Sequence, residues 1–119
     1  MIIQNLRTKI MLCKTPVDMR ASFDTLFDKA KTLLEEDPFS GHLFVFINVK
    51  RTHCKCLYYD GTGLVLIAKR LEKGNLFWKI NPLHAGQIKL SQAEFNLFFE
   101  GADLNKRFIE SPKTLRKSA

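Results

Sequence analysis

The residues most able to do chemistry in this 119-residue chain are cations, and the chemistry is phosphate contact. Lys50 and Arg51 fall together, Lys55 follows, and Lys69, Arg70 and Lys73 cluster further on. If the intervening segments are antiparallel strands, the 50–53 and 71–75 connections lie at one end of a sheet. The cluster then forms one cationic rim of the kind phosphate contact needs. Arg20 adds a cation near the start of a helix, where it could equally cap and pair with Asp18. Tyr58, Tyr59 and Trp78 could stack on bases if exposed. The plainer reading of the same lysines is a solvated sheet edge protected against aggregation.

Other chemistries find little support. Cys54-Lys55-Cys56 beside His53 hints at metal, but neighbouring strand residues point to opposite faces and no second ligand pair follows at finger spacing. Cys54 and Cys56 instead read as small core residues sharing one face. Asp18, Asp24, Asp37, Asp60 and Asp103 are scattered, and turns or caps account for several of them. Nothing gathers them around two ions. Cys13, His42 and His84 lack an activating third member. Gly61-x-Gly63 is a hairpin signal and no phosphate loop. The expectation is a chain with no catalytic centre, no metal and no cofactor.

Composition bounds the rest. Nineteen Lys and Arg against twelve Asp and Glu give a net charge of +7, which favours polyanionic partners, nucleic acid first. Hydrophobic residues at 45% and charged residues at 26% are ordinary for one globular domain, and most of the ten Phe must be core. Three Cys form no disulfide framework, which points to a reducing compartment. The first residues, interrupted by Asn5, Arg7 and Lys9, lack the apolar core of a signal peptide, and no run reaches the roughly 18 apolar residues of a membrane span. A cytoplasmic protein is expected.

The elements that must position the cations follow from periodicity. Ile10–Cys13 has strand character. Thr15-Pro16-Val17-Asp18 reads as a helix start, with Phe23, Leu26, Phe27, Ala30, Leu33 and Leu34 at helical spacing behind it, so a helix is predicted over 16–35. Asp37-Pro38 ends it. Leu43–Val49 is apolar apart from Asn48, as in a central strand covered on both faces. Cys54–Tyr59 and Leu64–Lys69 flank the Asp60–Gly63 turn as a hairpin, and Leu76–Lys79 reads as a fourth strand. Ser91-Gln92-Ala93-Glu94 matches a capping box, with Phe95, Phe98 and Phe99 behind it as core and Gly101 as the stop. The expected fold is α+β: an antiparallel meander of about four to five strands, packed by one amphipathic N-terminal helix, with a short C-terminal helix. Residues 1–107 form the single domain and 108–119 a basic, mobile tail.

These segments also carry a resemblance. Pro16-Val17-Asp18-Met19-Arg20 followed by Phe23-Asp24 is similar to the P-x-D-M-R-x-x-F-D opening of the TnpB-type accessory proteins of the IS sixty-six insertion-sequence family. Asp37-Pro38-Phe39-Ser40-Gly41, then Asn48 and Arg51, Tyr59-Asp60-Gly61, Lys69-Arg70-Leu71-Glu72-Lys73-Gly74, Phe77-Trp78 and Glu100-Gly101-Ala102-Asp103 continue it in order. It spans roughly residues 10 to 107. Cys54 and Cys56 depart from the family's aliphatic or basic residues, and Lys79-Ile80-Asn81 intervenes before the usual Pro. The resemblance implies a role in DNA transposition beside a separate transposase and a second small accessory protein. It supplies a process and no chemistry. Within the role that the resemblance implies, the residues leave two possibilities open: a DNA-binding factor acting at the element ends through the basic rim, or a protein-interaction module that shapes the transposase complex.

Overall fold

A computed structural model describes residues 8–77 and 87–101. The element order is β1 (Ile10–Cys13), α1 (Phe23–Thr32), β2 (Leu43–Ile47), β3 (His53–Tyr59), β4 (Leu64–Arg70), β5 (Gln87–Leu90) and α2 (Gln92–Phe99). The strands form one five-stranded sheet in the order β4-β3-β2-β1-β5. The fold is α+β as expected, but the sheet is mixed and is not a simple meander. β1 runs parallel to β2, with α1 as the crossover between them. β2–β3, β3–β4 and β1–β5 are antiparallel.

Period-two alternation divides the core between two faces. Ile10, Leu12, Val45, Ile47, Cys54, Cys56, Ile88 and Leu90 turn to one side and meet Phe95 and Phe98 of α2. Met11, Cys13, Phe44, Phe46 and Leu57 turn to the other and meet Leu26 and Ala30 of α1. The helices therefore sandwich the sheet. Every residue of β2 is buried, which is why its sequence is an unbroken apolar run. The Phe stripe of α2 is core, as its periodicity suggested: Phe95 and Phe98 are buried and Phe99 packs partly against them.

Three sequence expectations are corrected. First, the helix begins after Ser22 and not at Pro16. The Val17 amide donates to the Ile47 carbonyl at 2.8 Å, and the Asp18 carboxylate receives the Arg20 amide at 2.8 Å. Docking to the sheet end thus outcompetes the local helix signal. At its other end α1 stops after Thr32, and Glu35 takes a left-handed φ of 53° as the Glu36 amide reaches back to the Ala30 carbonyl.

Second, Leu76 and Phe77 are not strand; Leu76 is a fully buried plug on the α2 face, and Lys79 lies outside the described residues. Third, the fifth strand is Gln87–Leu90, which was not expected; its alternating Ile88 and Leu90 complete the α2 side. The α2 capping box is formed, with Ser91 Oγ accepting from the Glu94 amide at 3.1 Å and Glu94 Oε1 from the Ser91 amide at 2.8 Å. Gly101 follows at a φ of 81°, where a Cβ would lie 3.0 Å from Leu71 Cδ1. The proposed tail at 108–119 lies outside the described residues.

Phe46→Ala should lower unfolding free energy by about 3–5 kcal/mol, since it empties a fully buried site in the central strand. Ser91→Ala, which removes one half of a surface capping box, should cost only about 1 kcal/mol. Urea denaturation of the two variants checks both the size and the order.

Candidate nucleic-acid interface

The cationic end of the sheet is built around Asn48, the polar residue that interrupts the β2 run. Its Oδ1 accepts the amides of Thr52 at 2.9 Å and His53 at 3.0 Å, and its Nδ2 donates to Thr52 Oγ1 at 3.0 Å. The Arg51 amide returns to the Asn48 carbonyl at 3.1 Å, and Arg51 itself adopts a left-handed φ of 57°. The β2–β3 loop is thereby a fixed platform with Val49 and Lys50 at its tip, Val49 being 79% exposed.

The chain leaving β4 is clasped onto that platform. Thr52 O accepts the Leu71 amide at 2.8 Å, Arg51 O the Leu76 amide at 2.7 Å, and Lys50 O the Asn75 side-chain amide at 2.8 Å. His53 and Arg70 are direct cross-strand partners. Lys50, Arg51, Arg70 and Lys73 are thus brought to one end of the molecule and all are exposed. The Arg51 guanidinium sits 5.4 Å from the Phe77 ring centre, and Arg70 Nε pairs with Glu72 at 2.8 Å.

The segment carrying Arg20 reaches the same end. Val17, bonded to the last residue of β2, lays 16–19 alongside the loop, leaving an open cleft of about 590 Å³. Pro16, Asp18 and Met19 wall one side of it; Asn48, Lys50 and His53 wall the other. Arg20 grips Asp18 through Nε at 3.0 Å and through the terminal guanidinium nitrogen at 2.6 Å. This grip, with the Arg20 amide, holds the Asp18 carboxyl down at about 2. Both side chains stay largely exposed, so the pair shapes the segment more than it stabilises the fold.

Two members of the expected set are drawn elsewhere. Lys55 Nζ donates to the Ala21 carbonyl at 2.7 Å, fastening the chain ahead of α1 to the sheet. Lys69 Nζ donates to the Phe99 carbonyl at 2.6 Å and lies 4.3 Å from the Phe99 ring centre, against the end of α2. One cation therefore serves each face of the sheet, and neither stands free on the rim. The tyrosines are not there either. Tyr58 packs against the α2-side core, while Tyr59 bonds Gly61 O at 2.8 Å and meets the Phe39 ring at 5.2 Å, at the far end of β3. Trp78, the third proposed base-stacking ring, lies outside the described residues.

The remaining chemistry-bearing residues have structural work. Cys54 and Cys56 are buried on the α2 face and share a hydrogen bond, which with burial holds the Cys56 thiol well above its ordinary range. Asp60 closes its turn by accepting the amides of Thr62 and Gly63, bonds that lower its carboxyl. Asp37 accepts the Phe39 amide at 2.9 Å. Among the described residues no three His, Cys, Asp or Glu side chains gather as a metal set, and no helix is long and apolar enough to cross a membrane. Sequence reasoning missed Asn48 as the scaffold of the site, although a lone polar residue ending an apolar strand was the visible signal.

These features define a small α+β fold in which Lys50, Arg51, Arg70 and Lys73 are gathered by two interlocked loops. Residues 8–108 match the family described as IS66 Orf2 like protein. The chain belongs to that family of insertion-sequence accessory proteins. It is 34% identical over 95 residues to uncharacterized protein y4jC of Sinorhizobium fredii, covering 80% of each chain. It is 33% identical over 100 residues to uncharacterized protein y4hO of the same organism, covering 84% of each. A search of the solved structures found no match.

The Asp18 carboxyl should titrate near 2 by NMR, and Arg20→Gln should return it towards its ordinary 3.8. Because its folded value lies below the unfolded one, the pair's contribution is fully present above pH 3.8 and disappears as pH falls through about 2. A variant titration unchanged from the parent would show that Arg20 is not the cause.

Proposed function

We propose that this protein is a non-catalytic accessory factor of insertion-sequence transposition that binds DNA at the element ends through the cationic loop end. Family membership supports the process. The observation that carries the DNA reading is the clasp of Leu71, Asn75 and Leu76 onto the carbonyls of Lys50, Arg51 and Thr52. It joins cations from two distant segments into one exposed, preorganised surface, which suits backbone phosphates spaced along a duplex. Lys50, Arg51, Arg70 and Lys73 make the contacts, with Arg20 at the flank. Lys55 and Lys69 act indirectly by holding α1 and α2 to the sheet. The transposase and a second small accessory protein are the proposed partners, and the cytoplasm the proposed compartment.

A second reading rests on Val49. An apolar side chain 79% exposed at the tip of a rigid loop is a natural anchor for a protein partner. In that case the loop end meets the transposase and DNA contact is weak.

Fluorescence anisotropy against an element-end duplex and a scrambled control, over a salt series, separates the two. The DNA reading expects selective binding, with log K falling by about 0.9 per phosphate neutralised for each unit of log salt. Arg51→Glu with Arg70→Glu should weaken that binding by about tenfold or more and flatten the slope. Lys55→Met and Lys69→Met should instead lower unfolding stability, by about 1 kcal/mol each, and leave the slope unchanged. Equal weak binding to both duplexes, insensitive to the Arg51 and Arg70 reversals, would move the assignment to the protein partner.

A further inference from the structure

Among the described residues, the strand at the edge of the sheet has one side without a backbone partner. β4 is terminal in the strand order, and its seven residues pair with β3 in one continuous register from His53–Arg70 to Tyr59–Leu64. The Asp60 amide donates to Gly63 O at one end of this hairpin, and the Leu71 amide to Thr52 O at the other. In an antiparallel ladder, residues that exchange hydrogen bonds alternate with residues that do not. Residues 63, 65, 67, 69 and 71 therefore turn their backbone groups inward to β3. Leu64, Leu66, Ala68 and Arg70 turn theirs outward. Among the described residues no backbone group bonds to that outer edge.

Edges of this length are usually protected by proline, a bulge or an inward-pointing charge. β4 has no proline and no bulge, its one inward-drawn charge, Lys69, is taken up by the Phe99 carbonyl, and Leu64 to Ile67 is wholly apolar and only half-buried. We propose that β4 pairs antiparallel with β4 of a second copy of this chain, joining two sheets across a twofold axis at Ile67.

Two observations select a second copy as the occupant. The outward residues are self-complementary. With the axis at Ile67, Leu64 faces the partner's Arg70 and Leu66 faces the partner's Ala68, so each outward amide and carbonyl finds a mate. The bulky Leu66 meets the small Ala68, and no two like charges stand opposite each other.

The second observation is the polarity of the molecule. One end of β4 carries Arg70, paired with Glu72, and beyond it Lys73, with Lys50 and Arg51 on the clasped loop. The other end leads into the exposed Asp60 turn, and Phe39–Tyr59 packing holds Asp37 beside it. Antiparallel pairing sets the cationic end of each copy next to the acidic end of the other. A parallel arrangement would align the cations instead. The pairing is made by the backbone of Leu64–Arg70 and requires nothing bound at Lys50, Arg51 or Arg20, while Arg70 and Lys73 are shared with the proposed DNA-contact set.

The test uses the full chain in sedimentation velocity, with amide exchange by NMR. The expected result is a species of twice the chain mass. Its Leu64, Leu66, Ala68 and Arg70 amides should be protected, and that protection should fall on dilution. Ala68→Pro removes an outward amide while keeping every β3 bond, and an edge strand tolerates it. It should weaken the dimer by about tenfold or more with an unchanged far-ultraviolet circular dichroism spectrum. Ala68→Lys, which sets a cation against the partner's Leu66, should act in the same direction and serves if the proline variant does not fold. A monomer at the highest soluble concentration would overturn the proposal. So would rapid exchange of the four outward amides, or a dimer indifferent to both substitutions.

Discussion

β2 is buried on both faces, and most of the architecture is a response to that. Leu43–Ile47 has no solvent-facing side, so each of its backbone groups needs a strand partner and each face needs a covering layer. The hairpin supplies β3 on one side. The other side takes β1 in parallel, and a parallel neighbour requires a crossover, which is α1. With α1 over the Phe44–Phe46 face, the Val45–Ile47 face still needs cover, and α2 with Leu76 provides it. Removing the strand's two-sidedness would remove the reason for both helices.

The same constraint places the cationic end. A buried strand must emerge somewhere, and β2 emerges at Asn48, whose side chain accepts the two amides that the turn leaves unpaired. The loop so fixed offers three consecutive carbonyls, and the segment after β4 binds to them. Rigidity of the cations is therefore inherited from the core through backbone hydrogen bonds. The lysines closest to the layers, Lys55 and Lys69, are drawn inward because each finds a carbonyl at the end or start of a helical segment. Their long stems cover apolar surface while the ammonium groups reach those oxygens. For Lys69, at the C-terminal end of α2, the helix dipole adds to that bond.

In this insertion-sequence accessory protein the arrangement separates charge along the molecule. Cations from two loops crowd one end, while Phe39, Tyr59, Asp37 and Asp60 occupy the other. Under the proposed DNA reading, phosphate contacts made by preorganised side chains lose less conformational entropy on binding.

Much of this was legible in the chain. The apolar run of β2, the Asp60–Gly63 hairpin, the Ser91–Glu94 capping box and the core role of Phe95 and Phe98 are set by interactions within a few residues or by composition. The meeting of the 50–53 and 71–75 connections also followed, since a hairpin places its flanking loops together. Tertiary contacts decided the rest. Pro16–Arg20 reads as a helix start but docks on Ile47, because a hydrogen bond to a sheet end is invisible to local periodicity. β1 pairs parallel with β2, a partnership between residues more than thirty apart that no pattern within either strand encodes. Lys55 and Lys69 look like Lys50 in sequence, yet strand alternation turns them to opposite layers, where each meets a carbonyl supplied by a distant segment. The sequence by itself determined which residues are charged and which strands are buried. Only the folded chain decided which cations stand at the loop end and which are drawn inward, because that depends on acceptors that the sequence leaves far away.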